Sequence, residues 1–240
     1  MSVGRTGFVV TDIERADAAT IDALGVHGVA TVHEAMGRRG LVGAALRPLQ
    51  DGARIAGSAV TVLNWPGDNL MIHAAVEQCR AGDILVVTTT SPSLDGSFGE
   101  LFATALQQRG VLGLVTTGGV RDVVDLRAMG FHVWSAAVNA QGTVKATAGS
   151  VNVPITVGDT VVCAGDIIVA DDDGVVCVPR AEASAVLLAS DARVAKEAGS
   201  RAAYQAGDLS LDRNNLRPLL ADLGVTYVTA QDFEAEHGRG

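Results

Sequence analysis

A chain of 240 residues with 48% hydrophobic and 19% charged residues can bury a real core and is too apolar to be disordered. Aromatic residues make up only 4%, so the core is expected from Ala, Val, Leu and Ile, as in a Val-rich sheet packed on Ala-rich helices. The net charge of -9 comes without any run of Lys or Arg, which excludes the electrostatic footprint of a nucleic-acid binder, and no apolar stretch approaches the roughly 18 residues that span a bilayer.

In chain order, residues 16–24 read as an Ala-rich helix. Thr31-Val32-His33-Glu34 has the spacing of a capping box and predicts a second helix, ended by Gly37. Residues 54–63 alternate and are rich in β-branched side chains, as a strand should be. The turn Trp65-Pro66-Gly67 leads to Asp68-Asn69, which reads as the cap of a helix running to about Cys79. Asn69 is the residue of this turn best placed to line a cleft, although plain capping is the favoured reading.

A Gly-Asp unit then recurs before apolar runs, at Gly82-Asp83, Gly158-Asp159 and Gly165-Asp166. Each is expected to be a turn feeding a strand, because Gly tolerates positive φ and Asp bonds nearby backbone. Strand 84–89 leads through a Ser/Pro/Gly loop to a helix starting near Gly99. Strand 111–115 leads through a Thr/Gly loop to a helix over about 122–129, ended by Gly130. Residues 143–178 show short β segments, with Asp171-Asp172-Asp173-Gly174 as a hairpin turn rather than a calcium loop, since the alternating ligands and terminal Glu are missing. Helices are expected over about 181–206 and 212–223. No Pro/Gly/Ser linker interrupts the chain, so residues 1–240 are expected to form a single α/β domain with a C-terminal helical extension over about 181–228.

Three cysteines, Cys79, Cys163 and Cys177, sit in apolar surroundings without C-x-x-C spacing. They read as free thiols of a reducing cytoplasm, and the segment MSVGRTGFVV lacks a signal-peptide pattern, so a cytoplasmic location is expected. The five histidines show no zinc-binding spacing. Lys145 and Lys196, the two lysines, lie in ordinary strand and helix patterns and are not expected to form a Schiff base.

Small ligands in α/β folds bind where strands end and helices begin. Two such junctions carry suited residues. The first, Asp95-Gly96-Ser97-Phe98-Gly99-Glu100-Leu101-Phe102, has glycines that let backbone approach a ligand and offers unpaired N–H groups of a helix start to an anion. The second, Gly118-Gly119-Val120-Arg121-Asp122, sets a guanidinium beside a carboxylate; alone, Asp122 reads as a helix cap. Neither is a P-loop or a dinucleotide-binding turn.

The stretches Gly118-Gly119-Val120-Arg121-Asp122-Val123, Ala30-Thr31-Val32-His33-Glu34-Ala35-Met36-Gly37-Arg38 and Ile168-Val169-Ala170-Asp171-Asp172-Asp173-Gly174-Val175-Val176 together resemble one family. It is the family of 4-hydroxy-4-methyl-2-oxoglutarate / 4-carboxy-4-hydroxy-2-oxoadipate aldolases, class II pyruvate aldolases related in fold to the regulator of ribonuclease E activity A. The likeness runs from about Val9 to Val228. It implies an α/β/β/α sandwich of the swivelling-domain type, assembled as a trimer or hexamer with sites between subunits. It implies Mg²⁺ or Mn²⁺, a small 2-oxo acid substrate cleaved to pyruvate and a second oxo acid, and oxaloacetate decarboxylation through the same pyruvate enolate.

By the same resemblance, Arg121 binds substrate, Asp122 binds the metal, and the backbone of Gly99, Glu100, Leu101 and Phe102 holds the pyruvyl carboxylate. Glu100 takes the place of an acidic residue that orients a water, where many relatives carry Asp. Glu197 matches an acidic residue given by a neighbouring subunit. The alternative is a non-catalytic protein-binding regulator of the ribonuclease E type. Against it stands the tail from Leu209 to Val228, which resembles the aldolases, although Asn214-Asn215 departs from their more apolar residues.

Overall fold

The computed structural model describes residues 3–238, apart from the side chain of His237. It divides into two compact units, residues 1–193 and 194–240, of which the second is described separately below.

In chain order the elements begin with β1 (Phe8–Val9), α1 (Ala18–His27), α2 (Val29–Ala35), β2 (Arg47–Pro48), β3 (Ile55–Asn64) and α3 (Leu70–Gln78). They continue with β4 (Asp83–Thr89), β5 (Gly96–Phe98), α4 (Glu100–Gln107), β6 (Gly113–Val120), α5 (Val123–Ala128) and β7 (His132–Val138). The short strands β8 (Ser150–Val151), β9 (Ile155–Val157), β10 (Thr160–Val162), β11 (Ile167–Asp171) and β12 (Gly174–Val178) follow, then the long helix α6 (Ala183–Gln205). The expected mixed α/β class is observed.

One sheet in the order β1-β8-β3-β4-β6-β7-β2 forms the frame, and its centre, β3-β4-β6-β7, is parallel. Alternation along these strands feeds two cores. Val60, Val62, Leu85, Val87, Leu114 and Val133 join Ile72 of α3, Leu106 of α4 and Leu126 of α5. Ala59, Leu63, Ile84, Val86, Val115 and Trp134 join Ile155, Val162, Ile168 and Val175 from the later strands. Helices therefore cover one face of the central strands and β segments the other. Both faces are buried, so these strands read as nearly unbroken apolar runs.

The Gly-Asp turns are as expected: Gly82, Gly158 and Gly165 have φ of 85°, 59° and 85° and feed β4, β10 and β11. Asp83 does more than bond its turn. Fully buried, it takes two hydrogen bonds from Arg15 at 2.7 and 2.8 Å and one from the Arg80 N–H at 2.7 Å. The hairpin of β11 and β12 pairs antiparallel around residues 171–174, as predicted. All three cysteines are free thiols; burial, then the Asp83 charge, pushes the Cys79 thiol up to about 12.

Four expectations need correction. The Thr31–Glu34 spacing is not a capping box: α2 starts at Val29, behind Gly28, and Asp171 accepts the Val29 N–H at 2.9 Å from across the chain. β6 does not stop at residue 115 but runs to Val120, because β5 and β7 pair with Gly119 and Val120 from both sides. Gly119 permits a close approach of the preceding loop, since a Cβ there would overlap the Leu94 carbonyl. Asp122 does not cap α5, as described below. In the second unit, the single helix expected over 212–223 is two short ones, α7 (Ser210–Arg213) and α8 (Arg217–Asp222), followed by α9 (Ala230–His237). Pro218 explains the break, because it fits only the first turn of a helix. Among the described residues, no helix is long and apolar enough to cross a membrane.

The Arg15–Asp83 pair ties the segment before α1 to the start of β4. Breaking a buried pair strands its partner, so Asp83→Ala should destabilise the fold by about 3 kcal/mol. A lowered urea midpoint in equilibrium unfolding checks this.

Candidate functional site

The site forms where β6 ends. After Val120 the chain turns through Asp122, which adopts the left-handed conformation (φ 57°, ψ 38°) and gives α5 no side-chain cap. This turn is held by Arg121 N–H to Phe98 O at 2.9 Å and Leu126 N–H to Asp122 O at 3.0 Å. The Asp122 carboxylate is thereby aimed at the start of α4, where its Oδ2 accepts the Glu100 N–H at 3.2 Å. Gly99 makes the approach possible, because a Cβ there would overlap Asp122 Oδ2. The Arg121 guanidinium stands 3.8 Å from the same oxygen, and both side chains are about half exposed.

These groups line a cleft of about 270 Å³ with Gly99, Leu101, Phe102, Ala105, Asn69, His73, Val76 and Lys145. The two sequence junctions thus converge on one site. The N–H groups of Leu101 and Phe102 lie in the first turn of α4, where helix geometry provides no acceptor. An aromatic row fixes that turn: Phe102 stacks on Phe98 at 5.6 Å, and Phe98 on Phe131 at 5.8 Å.

Glu100 faces elsewhere. Its Oε1 accepts the Thr104 hydroxyl at 2.7 Å, and the side chain borders a separate depression with Asp125 and Met129. Glu197 belongs to the second unit, where it borders a shallow depression with Ser200, Arg201 and Tyr204.

Three cleft residues carry weaker sequence signals. Asn69, read as a cap, makes no capping bond; its Nδ2 donates to Ser97 O at 3.1 Å and fixes β5 against α3. His73 packs on Phe102 with ring centroids 4.5 Å apart. Burial, then the nearby Lys145 charge, holds its pKa below the usual histidine value. Lys145 reaches the cleft from an irregular loop, a placement that no local pattern announces.

That loop is clamped by Asp68. Its Oδ2 accepts the N–H groups of Ala146 and Thr147 at 2.8 Å each, while Oδ1 accepts the Leu70 N–H at 2.8 Å. Burial opposes the ionised form of Asp68, but these backbone donors outweigh it and hold the pKa below the ordinary value. Val144 adds a reciprocal pair, N–H to Gly67 O at 2.9 Å and O from Asn69 N–H at 3.0 Å.

Among the described residues, no three His, Cys, Asp or Glu side chains cluster as a metal cage. Asp122 offers one carboxylate whose Oδ1 takes no hydrogen bond from a described residue. That donor set suits Mg²⁺ or Mn²⁺, hard ions that retain water and complete their shell from substrate oxygens, and does not suit a zinc cage.

The fold and cleft define an α/β protein with a small cleft, lined by Arg121, Asp122 and Lys145, at the carboxyl ends of parallel strands. The family model described as RraA-like, Aldolase/RraA, matches residues 29–177, and the chain belongs to that family. It is 37% identical over 131 residues to a Burkholderia multivorans protein, covering 55% of this chain and 79% of that one. It is 29% identical over 142 residues to one from Halalkalibacterium halodurans, covering 59% and 68%. Both relatives carry the name "Putative 4-hydroxy-4-methyl-2-oxoglutarate aldolase". Streptomyces coelicolor RraAS2, described as an unusual member of the RNase ES inhibitor RraA protein family, matches with TM-score 0.70 at 25% identity, over 79% of this chain and 99% of that one.

The electrostatics of the cleft are testable without substrate. Lys145→Met removes a cation that disfavours the imidazolium, so the His73 pKa should rise toward the ordinary histidine value. An NMR titration of the ring protons reads the shift; an unchanged or lowered pKa would contradict the placement of Lys145.

Proposed function

We propose that the protein is a divalent-metal-dependent aldolase that cleaves 4-hydroxy-4-methyl-2-oxoglutarate or 4-carboxy-4-hydroxy-2-oxoadipate to pyruvate and a second oxo acid. Oxaloacetate decarboxylation follows from the same chemistry. The observation that carries this reading is the convergence of Arg121, Asp122 and the α4 N-terminus on one cleft. The aldolase names of the two relatives support it.

In this reading the pyruvyl carboxylate takes the free N–H groups of Leu101 and Phe102, where the helix dipole favours an anion. Arg121 donates to the keto oxygen as negative charge develops there, the stage at which a fixed donor contributes most. Asp122 holds Mg²⁺ or Mn²⁺, which supplies Lewis-acid polarisation of the 2-oxo acid. Cleavage breaks the C3–C4 bond: the C4 hydroxyl loses its proton, C4 becomes a carbonyl carbon, and the electron pair passes into the pyruvate enolate. A water accepts the hydroxyl proton and a proton returns to C3. Glu100 orients that water only after its side chain rotates away from Thr104.

The same reading carries the swivelling-type α/β/β/α layering, a trimeric or hexameric assembly, and Glu197 as a residue given to a neighbouring site. The RNase-inhibitor relative keeps one rival in view, a protein-binding regulator without turnover.

Purified protein given either substrate or oxaloacetate should release pyruvate with Mg²⁺ or Mn²⁺ and lose activity in EDTA. No pyruvate from any of the three would instead favour the binding role. Arg121→Ala should lower kcat by about a thousandfold, the order seen when a transition-state donor is removed, with folding intact by circular dichroism. Asp122→Asn keeps a residue tolerant of the left-handed conformation but removes the charge. It should weaken Mg²⁺ activation at least tenfold, measured as the metal concentration giving half-maximal rate.

A further inference from the structure

Glu100 is turned to Thr104, so the chemistry above leaves the proton of the C4 hydroxyl without a base in the cleft. Arg121 and Lys145 are cations and accept no proton, and the Asp122 carboxylate is committed to the Glu100 N–H and to the metal. Among the described residues that line the cleft, His73 is the remaining titratable side chain.

His73 stands one helical turn after Asn69 on the cleft side of α3. Its ring packs on Phe102 with centroids 4.5 Å apart and an interplanar angle of 55°, a contact that holds the imidazole without engaging its nitrogens. No described residue shares a hydrogen bond with either nitrogen, and the side chain is exposed to the cleft. The surroundings keep it free of charge. α4 presents Leu101, Phe102 and Ala105 to the cleft, all apolar, while the 144–147 loop brings Lys145 and the end of β6 brings Arg121 and Asp122. Partial burial, then the Lys145 charge, holds the imidazole below its usual pKa, so at neutral pH the ring has a lone pair to accept a proton. With the pyruvyl carboxylate on the first turn of α4 and the keto oxygen on Arg121, C4 and its hydroxyl are left the part of the cleft that α3 borders.

Resting on the proposed aldolase function, we propose that His73 is the base of the cleavage step, taking the C4 hydroxyl proton through the water that receives it. The O–H bond breaks and a neutral imidazole becomes imidazolium. The oxygen's electrons form the new C4 carbonyl, and the C3–C4 pair passes into the enolate. The imidazolium then returns its proton to water while C3 takes one from water, so no proton is gained or lost overall.

Two reactions isolate this step. Cleavage of 4-hydroxy-4-methyl-2-oxoglutarate removes a hydroxyl proton, whereas decarboxylation of oxaloacetate releases CO₂ and removes none. At neutral pH with Mg²⁺, His73→Gln should lower kcat for cleavage about a hundredfold more than kcat for decarboxylation, the low end of what a positioned base contributes. In the wild type, kcat/KM for cleavage should fall about tenfold per pH unit below the His73 pKa, read from an NMR titration of its ring protons. Decarboxylation should show no such limb, and His73→Gln should remove it from cleavage. Equal losses in the two reactions would overturn the proposal, as would no loss in cleavage or a limb that persists in the variant. If His73→Gln fails to fold by circular dichroism, the wild-type profile decides: a limb at the His73 pKa in cleavage alone supports the base, and one absent from cleavage or shared by both reactions overturns it. Wild-type protein that decarboxylates without cleaving would overturn the base and spare the pyruvate-enolate chemistry. Protein that does neither would overturn the aldolase reading itself, and the proposal with it.

Discussion

The close approach of the Asp122 carboxylate to the first turn of α4 is the contact on which the site depends. It requires a left-handed residue at the end of β6, at a cost of about 1 kcal/mol for a side chain other than Gly. It also requires the bare backbone of Gly99, where any Cβ would occupy the carboxylate's place. The surrounding sheet over-determines the strained turn: β5 and β7 grip the last residues of β6 from both sides, and Phe98 O holds the Arg121 N–H. Strain that persists under such support is typical of functional positions. Here it aims Arg121 and Asp122 at the same cleft that α4 opens onto.

Charge is organised around this contact in two layers. The protein is acidic overall, with a net charge of -9, yet its cleft gathers Arg121 and Lys145 against a single aspartate. Such local reversal attracts small anions without making the whole surface adhesive to them. The inner layer is carried by sheet ends and the α4 backbone, whose dipoles are fixed before any ligand arrives. The outer layer is carried by the 144–147 loop, which owes its position to the buried Asp68.

Much of this is legible in the sequence because it follows from local rules. The apolar runs of β3, β4 and β6, the Gly-Asp turns and the 171–174 hairpin each state their conformation within a few residues. The two junctions at Gly99 and Arg121 are visible as residue types, and family resemblance ties them together. What local pattern cannot express is pairing at a distance. The Thr31–Glu34 spacing imitates a capping box, but the start of α2 is met by Asp171, 142 residues away. Asp122 imitates a cap until β5 brings Gly99 beside it. Lys145 looks like an ordinary residue because its placement at the cleft depends on a loop held by Asp68, 77 positions earlier in the chain. Glu100 sits in the right place by sequence, and yet its side chain turns to Thr104, a choice set by rotamer and helix spacing rather than by motif.

A fold shared between aldolase-named relatives and an RNase-inhibitor relative cannot decide function by itself, so the division of labour within the site matters. In the proposed reading, the groups assigned to the pyruvyl unit stand on rigid elements: the α4 start, locked by the Phe102, Phe98 and Phe131 row, and the end of β6. Lys145, the other cation of the cleft, stands on a loop. Rigid elements preserve geometry, whereas loops vary at little cost to the core. Under the proposed function, a scaffold arranged this way would keep one reaction while changing the acid it accepts. In the proposed reading, loss of the Gly99, Arg121 and Asp122 contact would remove that reaction while leaving the fold in place.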